Sequence, residues 1–184
     1  MMFSLLLIFW GERYGVKLSY LPFILKATSL ALFEFPMLNA HTAPDCSSYV
    51  ERGSHNLGVA IDSPQGLVVP NIKDCQTKSV IEIAQDLDGL IDRVRNSRTT
   101  KEDITGGTFT LSNIGAIGGT VCRPIVFVPE VMIGALGKTQ KTPAFNAKGE
   151  VIQCNENFFR SSLLHSIFNL RMCGSKSVRS WSNW

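Results

Sequence analysis

Between Gly106-Gly107 and Gly118-Gly119 the chain reads Thr108-Phe109-Thr110-Leu111-Ser112-Asn113, a hydroxyl and an amide side by side at the end of a β-type run. A hydroxyl fixed on a rigid strand end can donate to an oxygen that gathers negative charge during acyl transfer, without reorganising as the charge develops. Glycines around such a pair have two uses. They permit a twisted strand with bulges, in which neighbouring backbones pack closely, or they hold a site open so that Ser112 and Asn113 project into it. Three other readings fail on spacing. The stretch has no GxxxxGK[ST] and no lysine, so it is not a phosphate loop. Its later glycines lead into no apolar helix, as a dinucleotide fingerprint requires. Ser112 also lacks the flanking glycines of a hydrolase nucleophile elbow.

Bases and thiols are scarce elsewhere. The three histidines are His41, His55 and His165. His41 falls in a turn-rich segment with no evident partner, and His55 opens a strand, where a structural role is expected. The five cysteines (Cys46, Cys75, Cys122, Cys154 and Cys173) include no CxxC pair and none at finger spacing to a histidine. No zinc or other metal site is expected, and scattered thiols suit a reducing compartment better than a disulfide framework. Eighteen basic against 15 acidic residues give +3, and Arg171, Lys176 and Arg179 near the C-terminus account for that excess. A balanced body offers no electrostatic footprint for nucleic acid.

These groups need elements to place them. Ser19-Tyr20-Leu21-Pro22 opens a helix, with Ser19 as cap and Pro22 in the first turn, where a missing N–H is tolerated. The run to Phe35 is apolar almost all round, which predicts a buried helix stopped by Pro36. Residues 37–48 read as turns. His55 to Asp62 and Leu67 to Pro70 predict a β-hairpin across Ser63-Pro64-Gln65-Gly66. Ser79-Val80-Ile81-Glu82 is a capping box. Behind it Val80, Ile83, Ala84, Leu87, Leu90, Ile91 and Val94 predict an amphipathic helix to about Arg98 with a solvated charged face. A short helical turn is expected at Thr100 to Asp103, strands at Ile125 to Val128 and Val131 to Leu136, and a turn at Asn146 to Gly149. Helix, hairpin, helix and then several strands predict a single α+β domain. Met1 to Trp10 is apolar but shorter than the ~20 residues of a bilayer span, and it has neither a basic signal n-region nor the basic amphipathic pattern of a matrix-targeting peptide.

As whole phrases, GGTFTLSNIGAIGG (106–119) and PEVMIGALGK (129–138) closely resemble the catalytic domain of dihydrolipoamide acyltransferases, the core subunits of 2-oxo acid dehydrogenase complexes. KLSYLPFILKATSLALFEFPMLNA (17–40), SHNLGVAIDSPQGLVVPNIKD (54–74) and FNAKGEV (145–151) match in the same order. The resemblance covers about residues 13–153, leaving 1–12 as an unmatched apolar N-terminus and 154–184 as a divergent tail. The SNIGAIGG and IGALG wording looks most like the branched-chain member. The resemblance implies a chloramphenicol-acetyltransferase-like fold, a mixed sheet with flanking helices, here incomplete at the C-terminus. It implies assembly as homotrimers or larger cores beside the other dehydrogenase complex components, in the mitochondrial matrix, with no nucleic-acid or membrane partner. The implied reaction moves an acyl group from dihydrolipoamide, presented by another domain or chain, to coenzyme A. In the family a histidine of one subunit takes the coenzyme A thiol proton, and a serine of the facing subunit stabilises the tetrahedral oxyanion. Carried onto this chain, Ser112 is that serine. Ser19, Asp62 and Asn113 match positions that line the coenzyme A path, with the backbone from Leu136 to Lys138 beside it. Without the resemblance, Ser19 reads as a helix cap, Asp62 as a turn starter and Asn113 as a bulge residue.

After Val151 the family continues through a strand into DHRxxxDG, which carries the base histidine and a supporting aspartate. Here residues 152–184 read IQCNENFFRSSLLHSIFNLRMCGSKSVRSWSNW, with no His-Arg pair, no Asp-Gly and no trace of the family's strand-and-helix pattern. His165 falls about as far past Val151 as the family histidine, and Asn169 sits where an aspartate belongs. One reading is a degenerate site with His165 as base; the other is a chance match within a foreign tail. The expectation is a catalytic domain truncated at both ends whose acyl transfer is impaired, or else a non-catalytic subunit that joins acyltransferase trimers.

Overall fold

The computed structural model describes residues 9, 11, 13–45, 47–64, 66–115, 124–146 and 148–163. Helix α1 (Tyr20–Glu34) begins after Ser19, whose backbone is extended like an N-cap but whose side chain makes no capping hydrogen bond. It ends before a 3-10 turn at Pro36–Leu38. Contrary to the expectation of a helix buried all round, only Pro22, Leu25, Ser29 and Leu32 are buried, while Leu30 is 55% and Phe33 59% exposed. The four inward residues follow three- and four-residue steps, so only one stripe of α1 meets the rest of the chain. The turn-rich segment after it holds a strand, β1 (Ala40–Thr42), paired antiparallel with β2 (Tyr49–Glu51).

The predicted hairpin is present as β3 (Leu57–Ser63) and β4 (Gly66–Val68), and β5 (Asn71–Ile72) returns along the first part of β3. Helix α2 (Val80–Arg95) has the expected capping box: Glu82 N–H donates to Ser79 Oγ at 3.3 Å, and Ser79 N–H to the Glu82 carboxylate at 2.7 Å. The predicted turn of helix is α3 (Lys101–Ile104), capped in the same way by Thr100 and Asp103.

Strand β6 (Phe109–Asn113) lies parallel to β3 on one side and to β7 (Met132–Phe145) on the other. Ile125 to Val128 is no strand; Ile125 is 83% exposed, and the segment pairs with nothing regular before Glu130 bridges to His41. The chain turns at Asn146 to Gly149, with Gly149 at positive φ, and returns as β8 (Val151–Leu163), antiparallel to β7 along its length. A strand thus runs beyond Val151, where the sequence pattern gives none; its partner β7 supplies the ladder that its own residue pattern does not announce. The mixed sheet runs β4-β3-β6-β7-β8, with β5 also on β3. Leu25 and Leu32 of α1, with Ile83, Leu87 and Leu90 of α2, pack on one face of it against Leu57, Val59, Ile72, Phe109 and Leu111. This is the expected α+β architecture.

Candidate active site

Side chains alternate between the two faces of a strand. On β6, Phe109 and Leu111 enter the core under the helices, so Thr110 and Ser112 belong to the opposite face. Ser112 is level with Ala60 of β3 and Ala135 of β7. Both neighbours are small, and Ser112 is half-buried. Asn113 is level with Leu136. Its Oδ1 accepts from Gly115 N–H at 3.1 Å, and Ile114 N–H donates to Leu136 O at 2.9 Å, which ties this strand end to β7. A Cβ at Gly115 would stand 3.3 Å from the Gly137 carbonyl. Close packing of backbones and an open Ser112 thus coexist. Gly118 and Gly119 lie outside the described residues.

β3, β6 and β7 run parallel, which sets Asp62 and Asn113, near the C-terminal ends of β3 and β6, on neighbouring strands to Leu136 and Lys138 in the first half of β7. Asp62 is exposed two positions past Ala60, Asn113 is exposed beside Ser112, Leu136 is buried, and Lys138 is exposed where the β7–β8 register shifts between Leu136 and Thr139. Ser19 stands apart in chain terms, at the head of α1, and no hydrogen bond or ion pair among the described residues joins it to this group. His165 and Asn169 lie outside the described residues.

His55 has the structural role expected of it. It is buried, its Nδ1 is 2.8 Å from Ser29 Oγ, its ring centroid is 4.6 Å from that of Phe33, and its backbone N–H donates to Gln76 Oε1 at 2.8 Å. Burial pushes its pKa down, which favours the neutral ring. His41, by contrast, has partners that its sequence context did not disclose. Its Nε2 lies 2.7 Å from Gly107 O, and Arg52 donates to its Nδ1 at 3.1 Å. An accepting Nδ1 leaves the proton on Nε2, so both ring nitrogens are engaged.

On the same face of the sheet as Thr110 lies a cavity of about 510 Å³ that sequence reasoning missed. Its polar lining is His41, Asn71, Thr110 and Glu130, and Leu67, Val69, Ile104 and Phe127 form apolar walls. Glu130 is 7% exposed, and burial raises its carboxyl pKa to about 7. The Thr110 hydroxyl is near enough to counter that push, but the contact falls short of hydrogen-bond geometry. The available signal was a lone acid, Glu130, inside an otherwise apolar stretch; it read as a break between strands. No group of three or more His, Cys, Asp or Glu among the described residues is placed to hold a metal ion. No helix among them is long and apolar enough to cross a membrane.

The sequence model of the 2-oxoacid dehydrogenases acyltransferase (catalytic domain) matches residues 10–161. The mitochondrial lipoamide acyltransferase component of branched-chain alpha-keto acid dehydrogenase complex from Caenorhabditis elegans is 49% identical over 147 residues, 80% of this chain and 33% of that protein. Its Bos taurus counterpart is 50% identical over 137 residues, 74% of this chain and 28% of that protein. The chain therefore spans a third or less of the length of these relatives. Among solved structures, Azotobacter vinelandii dihydrolipoamide acetyltransferase superposes with a TM-score of 0.85 at 31% identity, covering 91% of this chain and 69% of that one. Chloramphenicol acetyltransferase superposes with a TM-score of 0.53 at 14% identity, covering 85% and 72%, a likeness of fold alone. The mixed sheet is thus the chloramphenicol-acetyltransferase-like fold that the motifs led one to expect. With the family's sequence pattern running through α1, the hairpin, β6 and β7, the chain belongs to the 2-oxoacid dehydrogenase acyltransferase family and carries sequence of its catalytic domain.

Proposed function

We propose that this chain takes part in moving a branched-chain-type acyl group from dihydrolipoamide to coenzyme A, with Ser112 as hydrogen-bond donor to the developing oxyanion. The observation that carries the reading is Ser112 itself, at the end of a central parallel strand between Ala60 and Ala135. That surround fits an acyl carbonyl, since neither alanine puts a side chain over the hydroxyl. The strand ladder on both sides fixes the donor before charge appears, and one preorganised donor of this kind is worth ~3–4 kcal/mol of barrier. The thiol carriers, when bound, supply the thioester exchange; the chain's residues orient and stabilise. Asp62 and Asn113 near the ends of β3 and β6, Leu136 and Lys138 within β7, and Ser19 at the head of α1 are assigned to the coenzyme A path. If the tail continues the family pattern, His165 is the residue of this chain that takes the thiol proton; if its position is a chance match within a foreign tail, acyl transfer by the chain alone is impaired. The lipoyl group comes from another domain or chain, and the working assembly is a homotrimer or larger core beside the dehydrogenase components. The names of the closely similar relatives support the mitochondrial matrix as its location.

The test is acyl transfer to coenzyme A from an acyl-dihydrolipoamide donor, with Ser112→Ala beside the unchanged chain. The variant should lose about 10²–10³-fold in rate; an unchanged rate would remove Ser112 from the reaction. In parallel, His165→Ala should cost about 10²–10⁴-fold if it is the base.

The sequence after Val151, which carries no DHRxxxDG, favours a second reading. There the chain is a non-catalytic subunit that lends Ser112 to a neighbouring full-length acyltransferase. Co-expression with such a partner should then give mixed trimers, and failure to form them removes this reading.

A further inference from the structure

The cavity beside Thr110 lies outside the group of residues assigned to acyl transfer, and its lining has an unmet chemical requirement. Three oxygens there have no hydrogen-bond partner: Glu130 Oε2, Thr110 Oγ1 and Asn71 Oδ1. All three belong to residues more than nine-tenths buried, at 7%, 1% and 4% exposure. The orientation of Asn71 is fixed, because its Nδ2 donates to Asp103 O and Thr105 O, both at 3.1 Å. That leaves Oδ1 as an acceptor with nothing to accept. A buried polar atom in this condition is costly, and an ionised one more so.

Two glycines keep the space open. Gly58 is level with Asn71 on one side and with Thr110 on the other. A Cβ on Gly58 would come within 2.7 Å of Thr110 Oγ1 and 3.2 Å of Val69. A Cβ on Gly107 would come within 2.9 Å of Glu130 Oε1 and 3.7 Å of the Asn71 amide nitrogen. Thr110 Oγ1 thus borders the space at Gly58, while at Gly107 the nearest atoms are the other carboxylate oxygen of Glu130 and the amide nitrogen of Asn71; all three residues line the cavity.

No cation of the described residues answers the carboxylate. The ion pairs among them are Lys78–Asp86, Arg93–Asp103 and Arg98–Asp92. Arg52 donates to His41 Nδ1, His41 Nε2 faces the Gly107 carbonyl, and Lys73 donates to Thr105 O. A water molecule would satisfy the oxygens but bring no counter-charge. An ammonium group brings three N–H donors and a positive charge together, and the apolar walls suit a short carbon stem.

We propose that this cavity is a binding site for a primary alkylammonium group, its nitrogen held by Glu130, Thr110 and Asn71 and its stem against Leu67, Val69, Ile104 and Phe127. The two sources of such a group are a free amine and a peptidyl lysine side chain. Calorimetric titration of the full chain separates them, with n-butylammonium chloride as one arm and Nα-acetyl-lysine methylamide as the other. Both run at about pH 8 against sodium chloride of equal ionic strength. Saturable binding of butylammonium is expected, weakened by at least about tenfold in Glu130→Gln and less in Thr110→Val. Binding of the lysine derivative as well opens the site to peptidyl lysine; butylammonium alone restricts it to a free amine. Glu130 and His41 are the titratable groups lining the cavity, with Arg52 behind His41 and Lys73 near the Gly106 rim. Affinity should fall towards pH 5.5 and do so equally in His41→Gln, a profile that also stands in for Glu130→Gln should that variant not fold. No saturable binding above the salt control, equal affinity in Glu130→Gln, or a profile lost in His41→Gln overturns the proposal.

Discussion

At the scale of single residues, Glu130 sets a pH dependence of stability. Burial lifts its carboxyl from 4.5 to about 7, so the folded chain holds the proton more tightly than the unfolded one. Its contribution is then most favourable below the unfolded value and is lost as pH rises towards 7, by an amount of order 3 kcal/mol. The denaturant midpoint should fall between pH 5 and pH 8, and Glu130→Gln should flatten that fall; a midpoint that rises across this window contradicts the assignment. Asp103 titrates elsewhere, because the Arg93 guanidinium beside it holds its carboxyl down to about 2. Cys75 gives a second residue-level outcome. It is fully buried, and burial pushes its thiol up to about 11. It should resist iodoacetamide at pH 7.5 in the folded chain and react once urea unfolds it, as read by mass spectrometry of the Cys75 peptide. Ser112 is a catalytic candidate through the family wording, because its glycine setting alone leaves a bulged structural strand open, and Glu130 reads only as a break between strands. An acid's neighbours in space are absent from its neighbours in sequence.

At the scale of elements, capping could be read directly and its linkage could not. Ser79 and Glu82 announced α2, and the capping box is present. Ser79→Ala should cost about 1 kcal/mol. Asp103 does more than end-cap α3. Its carboxylate accepts from Thr100 N–H at 2.9 Å and from Arg93 of α2 at 2.8 and 3.1 Å. Arg93 read as part of a solvated face, but it spans two elements. Asp103→Ala should therefore lower stability by about 2 kcal/mol, more than Ser79→Ala, in urea unfolding at pH 7. Lys26 shows the same contrast: its ammonium donates to the carbonyls of Cys75, Gln76 and Lys78 at 2.7 to 3.2 Å. The sequence shows it only as one cation in an apolar helix.

For the whole molecule, one layered core ties the helices to the sheet, and Leu111 is fully buried at its centre. Leu111→Ala should cost about 2–5 kcal/mol, a large share of the ~5–15 kcal/mol typical of a domain. Its thermal midpoint should drop accordingly, while exposed Leu30→Ala should change the midpoint of the isolated chain little. The buried and exposed sides of α1 could not be told apart by composition, since both are apolar. Only the position of the sheet selects Leu25 and Leu32 over Leu30 and Phe33.

The amino-acid order alone settled the features that depend on residues three or four apart, or on alternation along one strand. These are the Ser79–Glu82 capping box, the period of α2, the short turn of α3, the β3–β4 hairpin, and Ser112 at the end of β6. Family wording extended this to the mixed sheet. The fold settled what depends on distant partners. His41 meets Gly107 across 66 residues, β8 is a strand because β7 pairs with it, and Asn71, Thr110 and Glu130 share one cavity because three strands and the segment leading into β7 converge on Gly58 and Gly107. A side chain's local sequence fixes its backbone preference, but whether its oxygen finds a donor is decided by what the packed chain brings beside it.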